Sequence, residues 1–388
     1  MRKAAIIGVG MHPFGKFLNY SLEDMARVAV WNAIEDAGLP PKDIQVAYVA
    51  NSLAGLVTGQ EGVRGQIILR DAGLSGMPII NVENACASGT TALRGAWLEV
   101  ASGLHDVALV LGVEKLFLPR TADSIEILAA DSEIRLKNMG FQFTAWYAME
   151  LRRYMKKYGW NVVDFAKVVE KNSQNGSLNP YAMHRTPLTV EQVLDSRVVA
   201  EPLRLYMCSS MSDGAAAAII CNKGRARKYT GRPLIEISTC VLRSGMFMNP
   251  RDTNRTGITR LAANEAYEQA GLGPESIDVA EVHDAMSPSE LYHYEDLGFC
   301  AEGEGPSMIE QGRTKLGGDI PVNPSGGLSA RGHPIAATGL AQVAEIVWQL
   351  RGEAGPRQVS QAQVGLIENS GGIVEDDAAA ASITILKR

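Results

Sequence analysis

Cys86 lies in the stretch "NVENACASGTTAL" (residues 81–93), with small residues on both sides, a strand-like run before it and a helical pattern after it. The start of a helix offers unpaired backbone N–H groups and the positive end of the helix dipole. Both favour thiolate over thiol, and the thiolate is the reactive form. An inert, buried cysteine is the other reading, and position alone does not separate the two. A second constellation, "NPSGGLSARGHPIAATGLAQ" (323–342), holds His333 between Gly332 and Pro334 in a glycine-rich loop that leads into a helix. Such a loop can bring an imidazole close enough to a substrate to move a proton. A phosphate cradle is the alternative, without the strand–GxGxxG–helix context that would support it. A third, "EVHDAMSP" (281–288), puts His283 at the end of a short strand, where α/β proteins place functional groups. Asp284 beside it either orients the imidazole or caps the following helix. The fourth, "GLIENSGGIVEDD" (365–377), carries Glu368, Asn369 and the pair Gly371-Gly372. Paired glycines either turn N–H groups inward as oxyanion donors or make a plain hairpin turn.

The elements that must position these residues alternate. Apolar strands are expected at 4–10, 78–82, 106–112, 215–221, 234–239, 364–368 and 382–386, with helices between them, notably 88–103, 145–157 and 335–350. Continuous apolar strands alternating with helices imply sheets covered on both faces. The chain also repeats itself. "AIEDAGLPPKDIQVAYVA" (33–50) matches "AYEQAGLGPESIDVAEVH" (266–283), with Gly38 against Gly271, Pro41 against Pro274 and Ile44 against Ile277. Each copy reads as a helix closed by a C′ glycine, a proline turn and a short strand. Ser21 and Asp24 form a capping box ahead of the first copy. A repeat this long is a duplicated domain rather than a solenoid unit. Residues 115–210 break the rhythm. They are richer in charge, methionine and aromatics, and read as an insertion of the kind that covers a site. Their Met and aromatic residues are either core or the lining of an apolar tunnel.

Bulk properties exclude several classes. The 388 residues are 46% hydrophobic with a formal net charge of −6, enough for a large core and unsuited to gripping nucleic acid without base specificity. The nearest thing to a basic run, "RRYMKK" (152–157), reads as a solvated helix face. No apolar run is long enough to span a membrane, and the run near Met1 is too short for a signal-peptide core. Five scattered cysteines without a CxxC pair argue against a zinc site and fit reduced thiols, so a cytoplasmic protein with no bound metal is expected.

Taken together, "NACASG" around Cys86, "SDGAAAAII" (212–220), "HDAM" (283–286) and "NPSGGLSARGHPIAATG" (323–339) resemble the thiolase superfamily over essentially the whole chain. The likeness is strongest to the sterol-carrier-protein-thiolase-like, or acetyl-CoA acetyltransferase-like, branch. The resemblance implies an α/β thiolase fold, with duplicated βαβαβαββ halves forming a five-layered α-β-α-β-α core. Residues 1–114 with 211–225 would form the N-terminal half carrying the nucleophile, 115–210 the inserted region shaping a substrate tunnel, and 226–388 the C-terminal half carrying the histidines. It implies that Cys86 carries an acyl group as a thioester, that His333 accepts its proton, and that His283 helps hold an oxyanion near the coenzyme A thioester. The N–H groups of Cys86 and Gly372 would form a second oxyanion hole.

One feature departs from the family. Thiolases use a second cysteine as acid/base, in a late Cys-x-Gly motif or inside "HDCF", and neither position holds cysteine here. Glu368 is the substitute, or a merely hydrogen-bonded loop residue; a carboxylate in an apolar pocket can be tuned toward neutrality. The implied activity is that of an acyl-CoA C-acyltransferase cleaving a 3-oxoacyl-CoA, with coenzyme A as co-substrate and no tightly bound cofactor. The altered acid position suggests a branched or aromatic chain, such as a benzoylsuccinyl-CoA type. Alternatives are a biosynthetic Claisen-condensing enzyme, a retro-aldol lyase acting on a hydroxyacyl-CoA, and a non-catalytic subunit of an acyl-CoA-binding complex. Cys86 counts against the lyase, and Cys86, His283 and His333 together count against the silent subunit. Expected partners are a second copy of the chain, as homodimer or higher oligomer, and a small zinc-ribbon/OB-fold protein; neither nucleic acid nor membrane is expected.

Overall fold

A computed structural model describes residues 1–245, 257–375 and 377–388, so Asp376 of the fourth stretch lies outside it. Among the described residues nine strands form one hydrogen-bonded sheet. In chain order they are β1 (Ala4–Gly15), β2 (Val46–Ala50), β3 (Ile79–Val82), β4 (Val107–Glu114), β5 (Asp213–Asn222), β6 (Ile235–Ser244), β7 (Val279–Glu281), β8 (Val364–Val374) and β9 (Asp377–Lys387). The helices that matter here are α1 (Leu22–Ala37), α2 (Ser88–Ser102), α3 (Phe143–Tyr158), α4 (Val162–Ser177), α5 (Ile258–Ala270), α6 (Ser289–Asp296) and α7 (Ile335–Arg351).

The strand order is β3-β2-β4-β5-β1-β6-β9-β8-β7. Read outward from the middle, β1-β5-β4-β2-β3 and β6-β9-β8-β7 follow the same course. A bridge from Val322 to Ala280 stands beside β7 where β3 stands beside β2. The internal repeat therefore survives as topology. Gly38 and Gly271 both close their helices in the left-handed conformation (φ 65° and 63°), and a single 3-10 turn follows each. Ser21 and Asp24 make the expected capping box on α1. The two half-sheets join edge to edge through only two residue pairs, Ala5 with Glu236 and Ile6 with Ile235.

Three hydrophobic cores account for five layers. One face of the first half-sheet packs on α1 through Ile7, Ala47, Leu109 and Ala217. The outer face of the second packs on α5 and α4 through Val241, Ile383, Ile385 and Phe165. Between the half-sheets lie α2 and α7, meeting Ile6, Val110 and Ala218 from one side and Ile237, Ile367 and Leu386 from the other. Helix α7 is buried along nearly its whole circumference, which fits its mostly apolar sequence "IAATGLAQVAEIVWQLR". Close approach in this central layer depends on missing side chains. A Cβ on Gly112 would sit 2.4 Å from the Ala336 carbonyl oxygen, and one on Gly89 2.7 Å from it.

The inserted region is mostly helical. Part of it is core: Phe165, Val168 and Val169 of α4 are buried, and α4 lies against the glycine-rich loop. No helix among the described residues is long and apolar enough to cross a membrane.

The central contact makes a test. Gly112→Ala drives its methyl into backbone, so its thermal midpoint should fall by the equivalent of about 1–3 kcal/mol. Gly231→Ala, where nothing lies within 4 Å of the added carbon, should change stability by less than about 0.5 kcal/mol. Equal midpoints for the two variants would refute the close-packed central layer.

Candidate active site

Cys86 does not sit on the first turn of α2. It lies one step earlier, in a 3-10 turn spanning Ala85–Ala87. Ala85 is held in the left-handed region (φ 49°), a strained conformation for a residue with a Cβ. Local hydrogen bonds enforce it. The Ser88 hydroxyl donates to the Ala85 carbonyl (2.6 Å) and accepts from the Asn84 N–H (2.7 Å), while the Ala85 N–H donates to Glu83 Oε1 (2.6 Å). The turn lifts the sulfur toward the far half of the chain.

His333 and His283 come from that half. The Cys86 sulfur and one ring nitrogen of each histidine all lie within 4.8 Å of one another. The two imidazole rings meet edge to face with centroids 5.1 Å apart. The His333 tautomer follows from its neighbour. Thr338 Oγ1 donates its one proton to the Pro334 carbonyl (3.1 Å), so it accepts from His333 Nδ1–H (2.7 Å). That leaves Nε2 with a free lone pair. His283 Nε2 is buried with no hydrogen-bond partner, so the site has an unspent polar atom.

Glycines in β8 complete the pocket, and they are strand residues rather than a hairpin turn. Gly371 is packed so tightly on the Cys86 turn that a Cβ would lie 2.4 Å from the Ala87 nitrogen and 2.9 Å from that of Cys86. Gly372 takes φ 65°, and its N–H and that of Cys86 both reach the Cys86 sulfur.

The electrostatics overturn one expectation. Burial pushes the Cys86 thiol well above its ordinary value, with Asp131 and Glu114 adding to the rise; the two N–H groups oppose it and lose. The helix start therefore does not deliver a resting thiolate, because two carboxyl groups and desolvation outweigh a few N–H dipoles. Burial likewise pulls His333 down to about 3, with Arg331 contributing, and lowers His283 further from its usual range, with His333, His293 and Arg331 contributing. The resting centre is a thiol between two neutral imidazoles.

Glu368 is buried and engaged twice. Its Oε2 accepts the His283 N–H (2.7 Å) and its Oε1 the Ser370 hydroxyl (2.5 Å), with His293 Nε2 3.8 Å away. Asp284 does neither of the things expected of it: it accepts from the Leu328 N–H in the first turn of the short helix Gly327–Arg331 and from Asn172. This is part of a buried polar scaffold under the glycine-rich loop. Glu281 pairs with Arg331 (3.0 Å) and accepts from Ser325; Lys171 pairs with Glu290 (2.5 Å); Asn323 and Asn172 both donate to Glu290.

Sequence reasoning missed several of these residues. Thr338 lay inside a quoted motif, five residues from His333. Asn172, and Asn175 which donates to the Asn323 carbonyl (3.0 Å), carried a signal, since they fall on the apolar face of α4 set by Phe165, Val168 and Val169. Asp131 and Tyr147, both from the inserted region, act electrostatically on or with Cys86 and carried no signal.

A fold of two repeated half-sheets around a central helical layer, with a cysteine and two histidines converging from its two halves, defines a thiolase-class acyltransferase. Family models agree: residues 4–224 match the thiolase N-terminal domain and 243–388 the thiolase C-terminal domain-like model, and the chain belongs to the thiolase family. It is 46% identical to an acetyl-CoA acetyltransferase of Methanothermobacter thermautotrophicus, over 96% of this chain and 97% of that one. It is 38% identical to the benzoylsuccinyl-CoA thiolase subunit BbsB of Thauera aromatica, over 92% and 91%. The solved Ltp2-ChsH2(DUF35) aldolase superposes with a TM-score of 0.83 at 28% identity, covering 99% of this chain and 97% of that one.

The raised thiol predicts a pH profile. Alkylation of Cys86 by iodoacetamide, followed by peptide mass mapping, should accelerate about tenfold per pH unit from about pH 7 to pH 9 without levelling. A plateau at neutral pH would mean a preformed thiolate.

Proposed function

We propose that this chain is an acyl-CoA C-acyltransferase that cleaves a 3-oxoacyl-CoA with coenzyme A as co-substrate, through a thioester on Cys86. The convergence of the Cys86 sulfur with the two histidine nitrogens, all within 4.8 Å, carries this reading.

The chemistry follows from the resting protonation states. His333 Nε2 is the free lone pair, so it takes the thiol proton as the sulfur attacks the 3-keto carbon. A thiol that is hard to ionise stays unreactive until substrate is bound, and the proton moves as the bond forms. The oxyanion that develops is held by the N–H groups of Cys86 and Gly372, donors whose individual loss costs about 2.7–4 kcal/mol in comparable sites. Collapse breaks the C–C bond and leaves an enolate on the departing acyl-CoA. The buried, partnerless His283 Nε2 and the now protonated His333 are the groups to hold its oxygen. Coenzyme A then takes the acyl group from sulfur. The same residues run the Claisen condensation in reverse.

Two further points belong to this reading. The inserted region brings Tyr147 and Tyr154 near Tyr292, an aromatic surface next to the site that suits a branched or aryl acyl chain; similarity to a benzoylsuccinyl-CoA thiolase subunit supports it. A zinc-ribbon/OB-fold partner is supported by that relative being a subunit and by the likeness to an aldolase solved with a DUF35 protein. That aldolase favours the lyase as the competing reading, against which Cys86 stands.

Incubation with a panel of 3-oxoacyl-CoAs, read by intact mass, should add one acyl group to the wild-type chain and none to Cys86→Ala. His333→Asn should slow acylation by about 10²-fold or more. Turnover of a hydroxyacyl-CoA with no adduct, unaffected by Cys86→Ala, would establish the lyase instead.

A further inference from the structure

A second proton carrier is needed. When the C–C bond breaks, the electron pair remains on the α-carbon of the leaving acyl-CoA, and none of the cysteines lies where the family's second cysteine does. Glu368 is a poor donor here, since both its oxygens already accept from protein groups.

Asp131 is differently placed. Its backbone carbonyl lies 3.3 Å from where a Cβ on Gly372 would stand, and the next residue, Ser132, bridges to Ile373 of β8. Its side chain lies close enough to Cys86 that its carboxylate, once ionised, is the neighbour that most raises the thiol after burial itself. Its Oδ2 is sealed from solvent and has no hydrogen-bond partner. Its Oδ1 lies 3.0 Å from the Ser52 hydroxyl, which lies 3.2 Å from Glu83 Oε1. A hydroxyl has a single proton and cannot donate to both carboxyl groups. One of the two acids must bring its own proton for both contacts to be hydrogen bonds. Glu83 is exposed and Ser52 is buried, so the three groups form a line from the pocket to the surface. Ser52 is fixed by its own N–H, which donates to Glu114 (3.0 Å).

We propose that Asp131 is the second acid/base of the reaction and that Ser52 and Glu83 relay its proton to and from water. The proposal rests on the acyl-transfer reading above and supplies the group that reading lacks. In the cleavage direction Asp131 Oδ2–H protonates the α-carbon as the C–C electrons arrive there. Ser52 then passes its hydroxyl proton to Asp131 Oδ1 while taking one from Glu83, which first draws that proton from water. No oxidant or further reactant is required. Before coenzyme A attacks, Asp131 returns the recovered proton to water along the same line, and its carboxylate then accepts the thiol proton of coenzyme A. Burial, then the neighbouring Glu114 and Glu83, push Asp131 up to about 8 against the Ser52 hydrogen bond, so the acid is protonated at neutral pH and can still give up its proton.

The test separates thioester exchange from carbon–carbon chemistry. A simple acyl-CoA acylates Cys86 using His333 alone, whereas cleavage of a 3-oxoacyl-CoA also needs the second proton. Asp131→Asn should leave Cys86 acylation by acetyl-CoA no slower than in the wild type, since one carboxylate that raises the thiol is gone, while cleavage falls about 10²-fold; Ser52→Ala should move cleavage the same way, and Asp131→Glu should restore part of it. Wild-type cleavage should decline above a pH near 8, and the residual activity of Asp131→Asn should lack that decline. Cleavage at the wild-type rate in Asp131→Asn overturns the relay alone, as does an equal loss of acylation and cleavage, which marks a structural role. A wild-type protein that no acyl-CoA acylates overturns the acyl-transfer reading and the relay with it.

Discussion

The structure turns on holding a thiol and two imidazoles, all uncharged at rest, within 4.8 Å inside a buried pocket. Burial raises the thiol and lowers the imidazoles, so the uncharged forms are the favoured ones at rest. Charging the pocket in the absence of substrate would be costly, and the resting protein avoids it. In the proposed reaction the N–H groups of Cys86 and Gly372, which reach the sulfur, would be the counterpart: fixed dipoles that need no reorganisation when negative charge develops beside it.

Keeping those atoms together is a problem of packing. Helices α2 and α7 start next to the cysteine and the histidine, and they meet where Gly89 and Gly112 leave room for Ala336. A central layer with small residues at its crossing lets two halves of a duplicated chain point their helix starts at one another. Gly371 repeats the device from the strand side by lying against the cysteine turn without a side chain.

The His333 loop is held differently, by polar groups removed from water. Glu281 with Arg331, Lys171 with Glu290, and the asparagines 172 and 323 tie down the underside of residues 323–332. Buried ion pairs of this kind add little net stability, because desolvation offsets their attraction, but removing one partner leaves a stranded charge. They suit a loop that must hold a single conformation. Helix α4, though part of the inserted region, supplies Lys171 and Asn172 to this underside, so the region supports the site from below.

The sequence by itself determined the strand–helix alternation, the duplicated half and the chemical types at Cys86, His283 and His333, because periodicity, C′ glycines and residue type are local properties. The helices at 88–102 and 335–351 lay within one residue of expectation for that reason, whereas strands β1, β6, β8 and β9 each run about five or six residues beyond the expected apolar cores. Only the tertiary structure decided the rest. The upward shift of the Cys86 thiol comes first from burial, and Asp131 and Glu114, both distant in sequence, add to it once water is excluded. The place of Gly371-Gly372 within a strand, the diversion of Asp284 to the glycine-rich loop, the double engagement of Glu368 and the tautomer of His333 are each settled by a partner that the fold brings into reach. Electrostatic fields and hydrogen bonds depend on distances in space, which spacing along the chain does not specify.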